Sequence, residues 1–105
     1  MAASASVEYN VEGGRERIQT MIADISLSGI GVYSDKPISE GTVLSIEITF
    51  ISTEGLMTTS SMQGESVYVR KIGDMFFTGI EFDEEIDAVT QPSLHEHLQK
   101  ILSWD

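Results

Sequence analysis

The sequence predicts a mainly β domain, a small antiparallel barrel or curled sheet, with one helix at its C-terminus. Three observations predict this fold. Six short segments alternate apolar and polar residues, turn residues separate these segments, and only the last part of the chain repeats apolar residues with a helical period. At 105 residues the chain has room for one core, so we expect one domain.

Six strands are predicted, and all except the polar fifth strand have one face that carries apolar side chains. They span residues 7–11, 15–23, 30–34, 44–50, 56–70 and 75–82. The first two form a hairpin, because Gly13 and Gly14 lie between them and both accept positive φ. The third ends before Pro37, which has no amide hydrogen to give to the ladder. The fourth has four large apolar side chains on one face, from Leu44 to Phe50, and should supply much of the core.

The C-terminal half contains a long polar strand, a short apolar strand and the helix. The fifth strand is interrupted near Gly64, where we expect a β-bulge or a bend. After the sixth strand, apolar residues repeat at i, i+4, i+7 and i+8 from Leu94, which is typical of an amphipathic helix over residues 93–103. Ser93 and Glu96 predict a capping-box start. A helix this short must dock on the barrel.

Two expectations concern the ends of the chain. Residues 1–6 are expected to be a disordered or tag-like N-terminus, with the domain spanning residues 7–103. Residues 1–6 lack the basic and apolar regions of a secretory signal. Trp104 either packs the end of the helix onto the barrel or forms an exposed contact with a partner.

The charge of the chain argues against two classes of partner. Seventeen acidic and six basic side chains give a net charge of −11, which is unfavourable for binding nucleic acid or anionic lipid. No apolar run reaches the ~18 residues of a membrane span, and no cysteine is present, so we expect a cytoplasmic protein without membrane insertion. Five of the seven residues from 81 to 87 are acidic. That segment is either a solvated loop or a docking patch for a basic protein partner.

No pattern of residues indicates an enzyme. Ser26 and Ser28 lie outside a nucleophile-elbow pattern. His95 and His97 are two residues apart on a helix and point in different directions, so they cannot share one metal ion. Gly29-Ile30-Gly31 lacks the third glycine of a dinucleotide fingerprint. We therefore predict a non-catalytic protein with no metal and no cofactor.

The turn Asp24-Ile25-Ser26-Leu27-Ser28-Gly29 has the chemistry of a purine site. A carboxylate offers two acceptors in the fork that matches the N1 and N2 donors of guanine, and short serine and glycine residues let a ligand approach the backbone closely. The same residues are also common turn formers, in which Asp24 or Ser26 would bond local amides. From these six residues alone, both interpretations are open.

The context of the turn resembles the PilZ domain family. Its signature Asp-x-Ser-x-x-Gly is followed at once by an apolar strand, as happens here at Ile30. Three further stretches agree with the family in order and spacing: Pro37–Ile46, Gly64–Arg70 and Phe77–Phe82. The resemblance covers roughly residues 7 to 102.

The resemblance implies a six-stranded antiparallel split barrel with a C-terminal helix that serves as a bacterial signalling receptor for cyclic-di-GMP. The candidate ligand-binding residues are Asp24, Ser26, Ser28 and Gly29. In that family an Arg-x-x-x-Arg segment before the first strand also grips the ligand, because arginine presents a charged planar fork to guanine edges and phosphates.

The chain departs from the family at this arginine segment. Residues 1–6 contain no arginine or lysine. Arg15 and Arg17 follow the first strand, and we interpret them as balancing Glu8 and Glu12 across the hairpin. Binding of cyclic-di-GMP is therefore expected to be weak. Either a basic segment lies upstream in the full-length protein, or the domain is a divergent member that works as a ligand-independent adaptor, contacting proteins through its acidic surface.

Overall fold

The computed structural model describes residues 3–11, 13–51 and 54–102. Its elements are β1 (Ala3–Val11), β2 (Gly14–Ile25), β3 (Gly29–Ser34), β4 (Val43–Ile51), β5 (Met57–Ile72), β6 (Met75–Phe82) and α1 (Pro92–Leu102). The strands form a closed barrel in the order β1-β2-β3-β6-β5-β4, with antiparallel neighbours throughout. The predicted mainly β fold, a six-stranded antiparallel barrel with a C-terminal helix, is confirmed.

The barrel interior is filled by side chains from alternate positions of the strands. In β4, Leu44, Ile46, Ile48 and Phe50 are each at most 1% exposed, while the residues between them are half-buried. Burying a side chain of this size contributes about 1.5–3 kcal/mol. The strand with the clearest period of two therefore supplies much of the core, as its sequence predicts.

β1 begins at Ala3, four residues before the predicted start at Val7. Ala5 is 1% exposed, and the Thr20 hydroxyl donates a 2.8 Å hydrogen bond to the Ala5 carbonyl. Residues 3–6 therefore belong to the barrel wall and are not the disordered or tag-like segment that we expected. Alternating serine and alanine give a weak apolar signal, because alanine buries little surface. Residues 1 and 2 lie outside the described residues.

The β1–β2 hairpin carries ion pairs across its two strands. Glu8 lies opposite Arg17, and its carboxylate is 2.8 Å from Nε of Arg15 and 3.9 Å from Nη1 of Arg17. Arg17 also contacts the Glu47 carboxylate on β4 at 2.8 Å. Glu12, the second predicted partner, lies outside the described residues. Both arginines therefore form ion pairs with acidic side chains. These pairs are exposed, so each stabilises the fold by about 1 kcal/mol or less.

β5 is irregular at Val67, three residues beyond the predicted position at Gly64. The register against β6 shifts between Ser66 and Tyr68, so Val67 is the extra residue of a β-bulge. Gly64 marks a close approach instead, since a Cβ there would collide with the carbonyl oxygen of Glu81 on β6. Glycine inside a strand commonly marks either a bulge or the close approach of another backbone, and Gly64 marks the second.

α1 begins at Pro92, one residue before the predicted start. Proline is favourable in the first turn, where its missing amide would have no partner, so Ser93 lies within that turn and is not the N-cap. Leu94 and Leu98 are 1% and 0% exposed and belong to the barrel core, which confirms that the helix docks on the barrel. Trp104 lies outside the described residues.

His97 gives this docking a pH dependence. Its ring centroid lies 4.9 Å from that of Phe50, and its Nε2 is buried without a hydrogen-bond partner among the described residues. Burial lowers the pKa of the His97 imidazole below its ordinary value of 6.5. The unfolded chain thus takes up a proton at a higher pH than the folded chain. The stability that this group contributes is full above its unfolded-state pKa and decreases as the pH falls toward the folded-state pKa.

We expect the urea midpoint of unfolding to fall between about pH 7 and pH 5.5. His97→Phe should remove part of that fall, because phenylalanine keeps the ring contact and cannot take up a proton. Urea titrations followed by circular dichroism measure the effect. His95→Gln, on the same helix, is the control that should retain the fall. A His97→Phe midpoint that falls as much as that of the wild type would contradict the prediction.

Candidate functional site

The candidate site lies at the hairpin between β2 and β3. Ile25 and Ile30 are its last paired residues, and the Ser26 amide donates a 2.9 Å hydrogen bond to the Gly29 carbonyl. A Cβ on Gly29 would lie 2.5 Å from the carbonyl oxygen of Ile80 on β6. The turn is therefore tight and packs directly against the backbone of β6, which only glycine permits here.

Two further backbone hydrogen bonds hold the turn in place. The Leu27 carbonyl accepts one from the Ile86 amide at 2.8 Å, and the Ser28 carbonyl accepts one from the Phe82 amide at 2.9 Å. The Leu27 side chain packs against the core, while Ser26 and Ser28 are exposed. The turn is thus anchored on its inner side and presents short polar side chains on its outer side.

The Asp24 carboxylate lies on the outer face of the barrel. The register between β2 and β3 shifts between Ile22 and Asp24, and Asp24 pairs with Gly31. A Cβ built on Gly31 would lie 2.7 Å from Oδ1 of Asp24. The carboxylate forms no hydrogen bond or ion pair with the part of the chain that the structure describes. Ser26 Oγ, in contrast, accepts a 3.4 Å hydrogen bond from the Ser28 amide. Ser26 therefore helps to form the turn, and Asp24 has both oxygens available for a ligand.

Beside Asp24 the outer face of the barrel has a shallow depression of about 260 Å³. Its lining consists of Asp24, Ser26, Ser28, Gly29, Ile30, Gly31, Val67, Phe77, Gly79, Ile80 and Glu81. Gly31 of β3 pairs with Gly79 of β6, and together they form the floor. The volume is below the ~300–1,000 Å³ of pockets that enclose a drug-sized ligand. A ligand there would be held on one side and remain open to solvent on the other.

Phe77 lines the depression and contacts two aromatic side chains that lie outside its lining. The Phe77 ring lies between those of Tyr33 and Tyr68, at centroid separations of 5.4 and 6.2 Å with edge-to-face geometry. The Arg70 guanidinium carbon lies 6.0 Å from the centre of the Tyr68 ring, at the outer range of a cation–π contact. The Phe77 ring thus connects the depression to a neighbouring aromatic side chain with a positive charge beside it.

The structure brings all four predicted site residues, Asp24, Ser26, Ser28 and Gly29, to this one depression. Three of them contribute exposed side chains, and Gly29 contributes the close approach to β6. Their binding of a ligand stays a prediction.

Sequence reasoning missed the contribution of β5 and β6 to the depression. The sequence places Phe77, Gly79 and Glu81 in the sixth predicted strand and Val67 in the fifth, without linking either strand to the turn. They reach the depression because β6 pairs with β3 in the closed barrel, and strand order is not visible in the pattern of one strand. The available signal was Gly79, since glycine inside an apolar strand often marks the close approach of a ligand or another backbone.

The acidic segment 81–87 borders a second cleft of about 300 Å³. The lining consists of Ser61, Met62, Gln63, Asp83, Glu84, Glu85, Ile86, Thr90 and Gln91. Asp87 does not line this cleft. Its carboxylate accepts hydrogen bonds from the Thr90 and Val89 amides, at 2.7 and 2.8 Å, and these bonds lower the pKa of the carboxyl group. The other four acidic side chains are exposed and form no ion pair with the described residues. The segment is thus an uncompensated negative surface.

The described ranges contain neither a cluster of metal-ligating side chains nor a helix that could span a membrane. Over those ranges, no group of three or more histidine, aspartate and glutamate side chains is arranged to hold a metal ion. No helix within them has the length and apolar character needed to cross a membrane. The His97 ring contacts Phe50, and the His95 side chain is half-buried.

A known domain family matches the chain over nearly its whole length. The sequence model of the PilZ domain matches residues 1–103. A search of curated proteins finds no match. The range of the family match includes all six strands and the whole of α1.

Proposed function

The chain belongs to the PilZ domain family, and from this membership we propose that it is a bacterial signalling module that binds cyclic-di-GMP on the outer face of its barrel. PilZ domains are generally non-catalytic receptors of this dinucleotide, and they often contact other proteins. For this chain we infer a receptor without catalytic activity, which uses Asp24, Ser26, Ser28 and Gly29 for the ligand.

The position of Asp24 is the observation that carries the proposal. Its two oxygens match the N1 and N2 donors of guanine, and its Oδ1 lies close to Gly31, which pairs with Gly79. The Asp24 carboxylate and the Phe77 ring occupy the space directly above Gly31. A flat base is therefore proposed to lie over Gly79, which has no side chain to obstruct it. The Ser26 and Ser28 hydroxyls at the edge add further donors and acceptors.

Binding is proposed to be weak. Arg15 and Arg17 are engaged by Glu8 and Glu47 on another face of the barrel, so they do not clamp the phosphates of the ligand. Each charge-assisted hydrogen bond contributes about 1.5–3 kcal/mol. A ligand without a pair of arginine clamps therefore loses several powers of ten in affinity.

Asp24→Ala is expected to raise the Kd for cyclic-di-GMP by about tenfold or more, because two charge-assisted hydrogen bonds to guanine are lost. Isothermal titration calorimetry measures the change. Asp35→Ala is the matched control: it removes the same charge from an exposed position outside the depression and should bind as the wild type does. Equal affinities for wild type and Asp24→Ala would show that Asp24 does not bind the ligand.

We infer that the ligand signal passes to a protein partner through the acidic segment 81–87. The hydrogen bonds from Ile86 to Leu27 and from Phe82 to Ser28 connect this segment to the turn. Its exposed carboxylates suit a basic partner surface. If the wild type gives no heat with hundreds of micromolar cyclic-di-GMP yet captures a partner from bacterial lysate, the protein is a ligand-independent adaptor instead.

A further inference from the structure

The depression offers hydrogen-bond acceptors for a base, and a positive charge lies beyond Phe77, next to the residues that line it. We propose that Arg70, whose guanidinium carbon lies 6.0 Å from the centre of the Tyr68 ring, contacts a phosphate of the bound dinucleotide. This inference rests on the proposed function, because it adds a binding residue to the same site. It assigns the phosphate contact to β5, on the side of the depression opposite the Asp24 turn.

Strand pairing places Arg70 on the same outer face as Asp24. One row of paired residues runs from Asp24 through Gly31 and Gly79 to Tyr68. Three interstrand spacings separate the ends of this row, a distance of about 14 Å. Arg70 lies two residues beyond Tyr68 on β5, so both side chains point to the outer face.

Phe77 connects the guanidinium to the depression. It pairs with Arg70 across β5 and β6, and its ring atom Cζ would lie 2.7 Å from a Cβ on the floor residue Gly31. The same ring contacts Tyr68 edge-to-face. The Phe77 side chain therefore lies between Arg70 and the space in which the base is proposed to lie.

Arg70 also differs from most cations of the described chain in having no acidic partner. Arg15, Arg17 and Lys36 are each within 4.0 Å of a carboxylate. Among the cationic side chains that the structure describes, only Arg70 and Lys71 form no ion pair. Lys71 follows Arg70 in β5, and the alternation of a strand turns it to the opposite face.

The charges around the depression favour one orientation of the dinucleotide. Asp24 and Glu81 place carboxylates on the turn side, where they attract the donors of a base and repel a phosphate. Glu65, paired with Glu81 across β5 and β6, adds to this negative potential. The phosphate is favoured on the opposite side, where Arg70 presents a charged planar fork of donors to its oxygens.

Isothermal titration calorimetry of wild type, Arg70→Ala and Lys71→Ala with cyclic-di-GMP tests the inference. Both variants remove one positive charge from β5, but only Arg70→Ala removes a side chain from the outer face. We expect Arg70→Ala to raise Kd about tenfold to a hundredfold. Lys71→Ala should change Kd less than about threefold, because this side chain points to the opposite face and salt screens its exposed charge.

Two further measurements separate a phosphate contact from an indirect effect. Raising the salt concentration should weaken binding by the wild type and by Lys71→Ala more than binding by Arg70→Ala, which has already lost the ionic contact. Tyr68→Leu removes the ring against which Arg70 lies and should reproduce part of the loss. Tyr68→Phe keeps that ring and should bind as the wild type does.

The outcomes distinguish this inference from the proposed function. If Asp24→Ala weakens binding while Arg70→Ala binds as tightly as the wild type, the function stands and the role of Arg70 is wrong. If Arg70→Ala and Lys71→Ala lose the same affinity for cyclic-di-GMP, the loss reflects the net charge of the protein and not a phosphate contact. That result would also overturn the inference. If the wild type shows no heat at hundreds of micromolar ligand, both the function and the inference are overturned.

Discussion

Phe50→Ala is expected to lower the free energy of unfolding by about 3–5 kcal/mol, the range for removing a buried phenylalanine from a packed core. Phe50 is 1% exposed near the end of β4, and its ring contacts that of His97 in α1. Alanine would leave a cavity where the barrel wall meets the helix. Since domains of this size have only about 5–15 kcal/mol of stability, this one change removes a large part of it. Urea unfolding followed by far-ultraviolet circular dichroism measures the loss.

Two variants control for the loss of an aromatic side chain as such. Phe50→Leu keeps most of the apolar side chain and should lose less stability than Phe50→Ala. Tyr68→Ala removes a ring that is 43% exposed on the outer face, and it should cost much less. The packing described for β4 and α1 is wrong if Phe50→Ala unfolds at the same urea concentration as the wild type.

The fold was predictable wherever one face of a strand is made of large apolar residues. The period of two between Leu44 and Phe50 predicted β4 and its buried face correctly. The same approach did not predict the strand at residues 3–6, because the buried side chain there, Ala5, is a single methyl group and gives little apolar signal. At Gly64 the sequence signalled an irregularity, but a glycine does not show whether it allows a bulge or a contact with the neighbouring strand.

The candidate site was predictable only on its β2–β3 side. The residues of the turn are consecutive, so their chemistry can be read directly from the sequence. The other side of the depression depends on β6 pairing with β3 and on the bulge at Val67 in β5. These long-range features arise when the barrel closes, and they bring Phe77 and Gly79 to Asp24. Arg70 gains its place beside the site in the same way.

The site and the helix lie at the same end of the barrel and are connected through the core. Leu27 packs against the core between the outward-pointing serines of the turn, and its carbonyl binds the Ile86 amide. Ile86 is 3% exposed and belongs to the same core cluster as Leu94 and Leu98 of α1. A displacement of the turn would therefore be transmitted through packed side chains to the acidic segment and the helix.

Gly29→Ala is expected to impair both the fold and the site. The added Cβ would lie 2.5 Å from the carbonyl oxygen of Ile80, and a backbone atom of a paired strand cannot move aside without disturbing the ladder. Overpacking of this kind costs about 1–3 kcal/mol. The shift should also lengthen the hydrogen bond from the Phe82 amide to the Ser28 carbonyl, now 2.9 Å. We expect a lower urea midpoint together with loss of measurable cyclic-di-GMP binding.

Gly79→Ala makes the same chemical change on the same surface and should separate these two effects. Its Cβ would be 3.5 Å from Cβ of Tyr68, an ordinary contact, so the urea midpoint should be unchanged or slightly higher, because alanine restricts the unfolded chain. The methyl group would nevertheless stand on the floor of the depression, and the Kd for cyclic-di-GMP should rise. Binding by Gly79→Ala as tight as that of the wild type would show that the base does not lie on this floor, because a flat ring in contact with Gly79 has no room for the added carbon.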